Sequence, residues 1–232
     1  MPDGLSIAIP GGGVYFSDRS DGNMSSVGGA GHEHGAEARE RLRERLGLQR
    51  LARGYQVHGA HVSVVRSMPA REAETGELEH ADGQATPLPA LGAMVLAADC
   101  LPVAIAGEGA VAMIHAGWRG LAAGVIESGV RAVGELDGEA LVAVMGPCAG
   151  PCCYEVGPEV HEALGTPHSG GEAGIAGHAN ADLRLSARAR LHDAGVATVR
   201  ALGGCTICDE RFFSHRREGE AAGRQAAVAW LS

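Results

Sequence analysis

Four short segments place a reactive side chain where a β-like run stops and a Gly or Pro turn begins. They are Tyr55-Gln56-Val57-His58-Gly59, Ala98-Asp99-Cys100-Leu101-Pro102, Ile114-His115-Ala116-Gly117-Trp118-Arg119-Gly120 and Met145-Gly146-Pro147-Cys148. A group at a strand end stands on a rigid platform and faces the loops, where sites form. His58, Cys100 and His115 supply two imidazoles and one thiol. With the thiol ionised, that set suits Zn²⁺, and three protein ligands leave a fourth position for water or substrate, the arrangement of a catalytic zinc. Singly, each has an ordinary reading: a buried Cys is a small hydrophobe and a strand-end His a satisfied polar group. Their shared placement beside Gly or Pro is what favours a site. A metal-free alternative uses Cys100 as nucleophile with His115 or His58 as base.

The neighbours add chemistry. On a continuing strand Asp99 points away from Cys100, so it either orients a ligand from behind or caps a turn. Gln56 shares a face with His58. At Gly117 a strand gives way to a helix, and the free N–H groups of that turn, with Trp118 and Arg119, could hold phosphate. The competing reading packs Trp118 and leaves Arg119 on the surface. Cys148, Cys152 and Cys153 lie in one Pro/Gly-rich loop, and Cys205 and Cys208 in another. Six cysteines are too few for a disulfide framework and read as reduced thiols, although a four-cysteine zinc site joining both loops is conceivable. His32-Glu33-His34 reads as a solvated loop rather than a copper site.

The 232 residues, 45% hydrophobic and 20% charged, suffice for a sizeable core. All 19 basic residues are Arg. Without Lys, a P-loop, a pyridoxal enzyme and a Schiff-base aldolase are excluded. A net charge of −9 and only 3% aromatic residues argue against nucleic acid as a partner. The start, Met1-Pro2-Asp3-Gly4, shows no basic-then-apolar leader, and no apolar run reaches the ~20 residues of a membrane span. A soluble cytoplasmic protein is expected.

The elements that would position these residues emerge from periodicity. Two β-like runs flank Gly11-Gly12-Gly13, a polar loop spans Ser17–Gly35, and a surface helix covers Ala36–Leu46. Strands are expected at Gly54–Val57 and His61–Arg66, then a long loop over 67–91. Met94–Ala97, Pro102–Ala106 and Val111–His115 read as strands, the last two a hairpin. Leu121, Val125, Ile126, Ala132 and Val133 form the stripe of a helix. Leu141–Met145 is a buried strand, a short helix starts near Pro158, and residues 165–179 form a second Gly-rich loop. A helix at Asp182–Ala194, a strand at Val196–Ala201 and an apolar element at Gln225–Leu231 complete an α+β chain with one domain, residues 1–232.

Gln56-Val57-His58-Gly59, Ala98-Asp99-Cys100-Leu101-Pro102, His115-Ala116-Gly117-Trp118-Arg119-Gly120 and Gly146-Pro147 with Cys153-Tyr154-Glu155-Val156-Gly157 together resemble the YfiH family. Cys205-Thr206, Phe212-Phe213-Ser214-His215-Arg216-Arg217 and Gly223-Arg224 extend the match, which runs from about Val14 to Leu231 in family order. The resemblance implies a four-layer α/β/β/α sandwich with mixed sheets. It also implies zinc on His58, Cys100 and His115, phosphorolysis of purine nucleosides (adenosine, inosine, methylthioadenosine) and adenosine deamination, with Arg119, Gly117 and Trp118 toward phosphate or substrate. Members have also been called laccase-type polyphenol oxidases, which makes copper the alternative ion, but a multicopper site needs a His-Cys-His triplet that this chain lacks. A cell-wall-precursor amidase role is a further alternative within the family. Phe16-Ser17-Asp18-Arg19 matches the family's N-terminal Arg turn, making Arg19 a substrate contact. The Asn-Leu-Gly segment that usually comes next is absent, and Glu40-Arg41 stands where Asn-Arg is expected. His215 stands where the family often has Tyr, and Cys208 is an addition. The acid that protonates the leaving group would be Asp99 or Glu155.

Overall fold

The computed structural model describes residues 4–71, 75–136, 138, 140–165 and 179–232. Along the chain its elements are β1 (Leu5–Ile9), β2 (Gly12–Phe16), α1 (Gly35–Arg45), β3 (Arg50–Ala52), β4 (Val62–Val64), β5 (Gly83–Thr86), β6 (Leu91–Ala97) and β7 (Leu101–Gly107). Then come β8 (Ala110–Ala116), α2 (Trp118–Ala122), α3 (Val125–Gly134), β9 (Ala140–Met145), β10 (Glu155–Val156) and α4 (Pro158–Leu164). The remainder is β11 (Ala179–Asn180), α5 (Leu183–Asp193), β12 (Thr198–Ala201), α6 (His215–Glu218) and β13 (Gln225–Leu231).

The strands form two main mixed sheets, ordered β1-β2-β13-β6-β3 and β12-β9-β7-β8-β5-β4. Every residue of β7 and β8 is buried, so both faces of the second sheet must be covered. Alternation along β8 sends Ala110, Ala112, Ile114 and Ala116 to the core beneath α3, α4 and α5, and Val111 and Met113 to a core shared with the first sheet. On β13, Ala227, Ala229 and Leu231 face that shared core, while Ala226 and Val228 face α1 through Leu42 and Ala38. Three apolar layers therefore separate α1, two sheets and a helix layer, the expected four-layer α/β/β/α sandwich.

Several expectations need correction. Residues 54–57 form no strand; Tyr55 makes only an isolated bridge with His80. The stretch read as loop over 67–91 contains β5, whose Gly-Gln-Ala-Thr sequence has no apolar pattern and is buried by its neighbours β4 and β8. The helix after Gly117 is two helices, broken at Gly124 with φ +89°. On α1, Arg39 is buried and anchors the polar loop, donating to the Met24 carbonyl at 2.7 Å and Ser26 Oγ at 2.9 Å. Of the second Gly-rich loop, residues 166–178 lie outside the described residues.

Short connections link the two sheets directly, residues 87–90 from β5 to β6 and residues 98–100 from β6 to β7. The chain leaves the first sheet at Ala97 and enters the second at Leu101, so residues 98–100 cross between layers in three residues. Asp99 takes φ +88° to make that crossing. Met113 fills the space between the sheets with no exposure. Met113→Ala is expected to cost about 2–5 kcal/mol in urea unfolding with an unchanged slope.

Candidate functional site

The site is built around a carboxylate that belongs to none of the four motifs. Asp82 immediately precedes β5, and its side chain is fully buried. Its Oδ1 accepts the His58 N–H at 2.9 Å, and its Oδ2 accepts those of Val57 (3.1 Å) and Gly59 (2.7 Å). The same Oδ1 lies 2.8 Å from His115 Nδ1. A carboxylate can only accept, so Nδ1 carries a proton and Nε2 is the ring nitrogen left for a metal or for a second proton shared with Cys100. Burial works against this charge, but the His115 hydrogen bond and the loop N–H groups outweigh it and hold the Asp82 carboxyl below its ordinary range.

His58 therefore sits in a turn pinned by Asp82, not at a strand end, and it takes φ +61°. Among the described residues only His58, Ala90 and Asp99 are non-glycine with positive φ. One of these belongs to the cluster and another adjoins Cys100, the kind of local strain that persists where surrounding structure enforces it. Cys100 ends the interlayer crossing, and His115 is the penultimate residue of β8. One ligand atom from each of His58, Cys100 and His115 lies within 4.8 Å of the other two, and the imidazoles meet edge to face at 4.9 Å.

The electrostatics arise from that proximity. Burial opposes a thiolate at Cys100, yet the His115 cation and hydrogen bonds from both imidazoles bring the thiol down to about 6. Burial likewise opposes a charge on His115, but Cys100 and Asp82 lift it to about 9. Gly117 makes room for the trio: a Cβ there would stand 3.0 Å from Cys100 Sγ and 3.1 Å from His58 Cδ2. Two imidazoles, an ionised thiol, and a carboxylate fixing one imidazole from behind form a donor set that fits a tetrahedral ion with one open position.

The cluster lies at a cleft of about 550 Å³, within the range of small-molecule sites. Tyr55, Trp118 and Tyr154 supply aromatic faces, and Arg53, Arg119, Arg216 and Arg224 supply positive charge. Arg119 stacks on Trp118 at 4.5 Å, and Arg216 on Tyr154 at 4.8 Å. Both expected neighbours of the turn, Trp118 and Arg119, line the cleft. However, α2 is only five residues long, so Arg119 rather than a helix dipole is the local source of charge.

Arg19 does not line the cleft. Its guanidinium bonds the carbonyls of Glu210 and Phe212 and Glu218 Oε1 (2.6 Å), and lies over the Phe213 ring. Gln56 has a structural task, exchanging two hydrogen bonds with the Leu96 backbone at 2.7 and 2.8 Å and so tying the His58 turn to β6. Asp99 is the turn-holding group of its two readings: it accepts from Thr206 Oγ1 at 2.6 Å and from the Arg216 N–H at 2.7 Å. Both its oxygens are thus engaged, and Glu155 is not among the residues of the cleft wall. Cys148 is buried, which pushes its thiol up to about 12. His32 and His34 are exposed beside Glu33 and Glu37, as a solvated loop would be. The sequence signal for Asp82 is slight, an acid directly before a run with no apolar period. Arg216 and Tyr154 are visible in the sequence only as parts of motifs.

The chain matches the family described as multi-copper polyphenol oxidoreductase laccase over residues 11–232, and it belongs to that family. A Xylella fastidiosa protein named purine nucleoside phosphorylase is 40% identical over 241 residues, covering 100% of this chain and 90% of its own. The Escherichia coli purine nucleoside phosphorylase YfiH is 34% identical, covering 95% and 90%. Among solved structures, a Neisseria meningitidis protein of the DUF152 family superposes with a TM-score of 0.82 at 28% identity over 99% of both chains. YlmD from Geobacillus stearothermophilus gives 0.77 at 26% identity over 97% of this chain and 92% of its own. Among the described residues no helix is long and apolar enough to cross a membrane.

Asp82 both orients His115 and shapes the His58 turn. Asp82→Asn is therefore expected to lower the affinity of this donor cluster for a divalent ion by about 10–100-fold, read in a competition titration with Zn²⁺ as the probe. Gly117→Ala, which crowds Cys100 and His58, is expected to weaken it in the same assay while leaving the far-UV spectrum unchanged.

Proposed function

We propose that this family member is a zinc-dependent purine nucleoside phosphorylase acting on adenosine, inosine or methylthioadenosine, with adenosine deamination as a second chemistry of the same cleft. One observation carries the reading: His58, Cys100 and His115 converge at a cleft whose lining includes Arg53, Arg119, Arg216 and Arg224 and the rings of Tyr55, Trp118 and Tyr154. The names of relatives at 34–40% identity support it.

In phosphorolysis an oxygen of phosphate attacks C1′ of the ribose. The C1′–N9 bond breaks, its electron pair leaves with the purine, which takes up a proton, and the products are free base and ribose 1-phosphate, or 5-methylthioribose 1-phosphate when the substrate is methylthioadenosine. The chain must therefore hold a dianion and a flat heterocycle side by side. Arg119 and Arg216 are suited to the first, since stacking on Trp118 and Tyr154 fixes each guanidinium plane in advance of binding. The exposed ring of Tyr55 offers a face for the base. His58, Cys100 and His115 would hold the zinc, which when bound supplies Lewis-acid polarisation at its open position. Asp82 keeps His115 in the tautomer that presents Nε2.

A second reading has one specific observation in its favour. Asp82, His115 and Cys100 are arranged as a carboxylate–imidazole–thiol series, which could serve a metal-free cysteine hydrolase. His58 separates the two, because a thiol–imidazole pair needs no second imidazole.

Purified protein with measured metal content, given adenosine, inosine and methylthioadenosine with and without phosphate, is expected to release free base only when phosphate is present, together with ribose 1-phosphate from the first two and 5-methylthioribose 1-phosphate from the third. Inosine formed from adenosine without phosphate would report deamination. His58→Ala and Cys100→Ala are each expected to lower kcat/KM by about a hundredfold or more, with loss of bound zinc. Full activity of His58→Ala after chelator treatment would refute the zinc reading and favour the cysteine hydrolase.

A further inference from the structure

Away from the cleft cluster, a second group of metal-ligating side chains lies at the meeting of two loops. Cys152, Cys153, Cys205 and Cys208 each bring a sulfur within 4.8 Å of the other three. Cys153 Sγ is 2.9 Å and Cys152 Sγ 3.4 Å from Cys208 Sγ. Four thiolates around a tetrahedral zinc at about 2.3 Å would have sulfurs ~3.8 Å apart, so only small side-chain rotations separate this arrangement from a coordination shell. We propose that these four cysteines form a second, structural metal site of Cys₄ type, selective for a thiophilic divalent ion such as Zn²⁺. It is independent of the reading given for the cleft.

The backbone supports the assignment. Cys205-Thr206-Ile207-Cys208 has the two-residue spacing common in structural zinc sites. The N–H groups of Gly150, Ile207 and Cys208 converge on Cys205 Sγ, the first at 3.2 Å, and such bonds favour a thiolate. The two segments are already in register, since Thr206 donates its N–H to the Cys148 carbonyl at 2.9 Å. Four thiolates around a dication leave a net charge of −2. Arg217 stands against this turn, bonding the Thr206 and Ile207 carbonyls at 2.6 and 3.0 Å. Binding is a simple exchange in which each ligand that is still a thiol loses its proton to solvent as the metal–sulfur bond forms, with no change of oxidation state.

A metal here would have a definite mechanical effect. Loop 146–157 carries Tyr154, and the segment after Cys208 carries Arg216, the stacked pair on the cleft wall. Both segments are bonded to Asp99: the Ala149 N–H donates to its carbonyl at 2.8 Å, and Thr206 and Arg216 donate to its carboxylate. The clip would fasten two loops that otherwise meet through few bonds, and so fix the cleft wall beside Cys100.

The test uses the full chain carrying His58→Ala and Cys100→Ala, which removes the cleft donors. After desalting with Zn²⁺, elemental analysis should find one equivalent, and adding Cys205→Ser and Cys208→Ser should abolish it. A second measurement on the unsubstituted chain needs no thiol variant: Zn²⁺ should slow alkylation of all four cysteines, read by peptide mass spectrometry, by about tenfold or more, with EDTA restoring it. Co²⁺ in the cleft-deleted chain should show intense thiolate-to-metal charge-transfer absorption in the near ultraviolet. Equal alkylation with and without Zn²⁺ would overturn the proposal. So would a Cys153–Cys208 cross-linked peptide, two mass units lighter, in freshly purified protein. Loss of phosphorolysis by the cleft variants bears only on the cleft reading.

Discussion

A buried carboxylate is costly unless its lone pairs are used. Asp82 meets that condition with three backbone N–H groups and His115 Nδ1. The result is a single point at which two distant stretches of chain are held in fixed relation. The turn 57–59 has no strand of its own to define it, and its shape comes from donating into Asp82. His115 has a strand, but the strand fixes only its Cα; the ring plane and tautomer come from the same oxygen. Cys100 joins them because the chain must cross from one sheet to the other in three residues. Remove the carboxylate and the Gln56 bonds to Leu96 still tether the turn to β6, but the tautomer of His115 and the shape of the 57–59 turn lose their common anchor.

The four layers explain why the cluster, with His115 buried, Cys100 half-buried and His58 exposed, opens onto a cleft. Both sheets are covered on both faces, so side chains combine burial with access at the ends of strands and at the crossing between layers. His115 and Cys100 use those places. The arginines then do what lysines could not. A guanidinium can lie flat against an indole or phenol and still present its edge to an anion, whereas an ammonium is a point charge on a mobile stem. In a chain whose 19 basic residues are all Arg, the cleft pairs Arg119 with Trp118 and Arg216 with Tyr154 in this way.

Much of this is legible in the amino-acid order, for particular reasons. β7, β8 and β9 declare themselves because strands buried on both faces are continuous apolar runs bounded by turns. His58, Cys100 and His115 declare themselves because each is a reactive side chain beside a Gly or Pro. What stays hidden depends on contacts between distant segments. β5 is polar and glycine-containing, and only its place between β4 and β8 buries it. Asp82 looks like any loop acid until the 57–59 turn folds over it. Arg19 looks like a substrate contact in its motif, but its neighbours Glu210, Phe212 and Glu218 arrive from the other end of the sequence to occupy it. Sequence spacing carries no information about such partners.

The position of β13 has a consequence for how the molecule is made. This strand lies between β2 and β6, pairing antiparallel with each, yet it follows every other strand of the described residues along the chain. Until Gln225–Leu231 leaves the ribosome, the β1–β2 hairpin and the β3–β6 pair have no hydrogen-bonded connection, and both present open, apolar edges. The first sheet is therefore completed by insertion of one late strand into the gap between two earlier pairs.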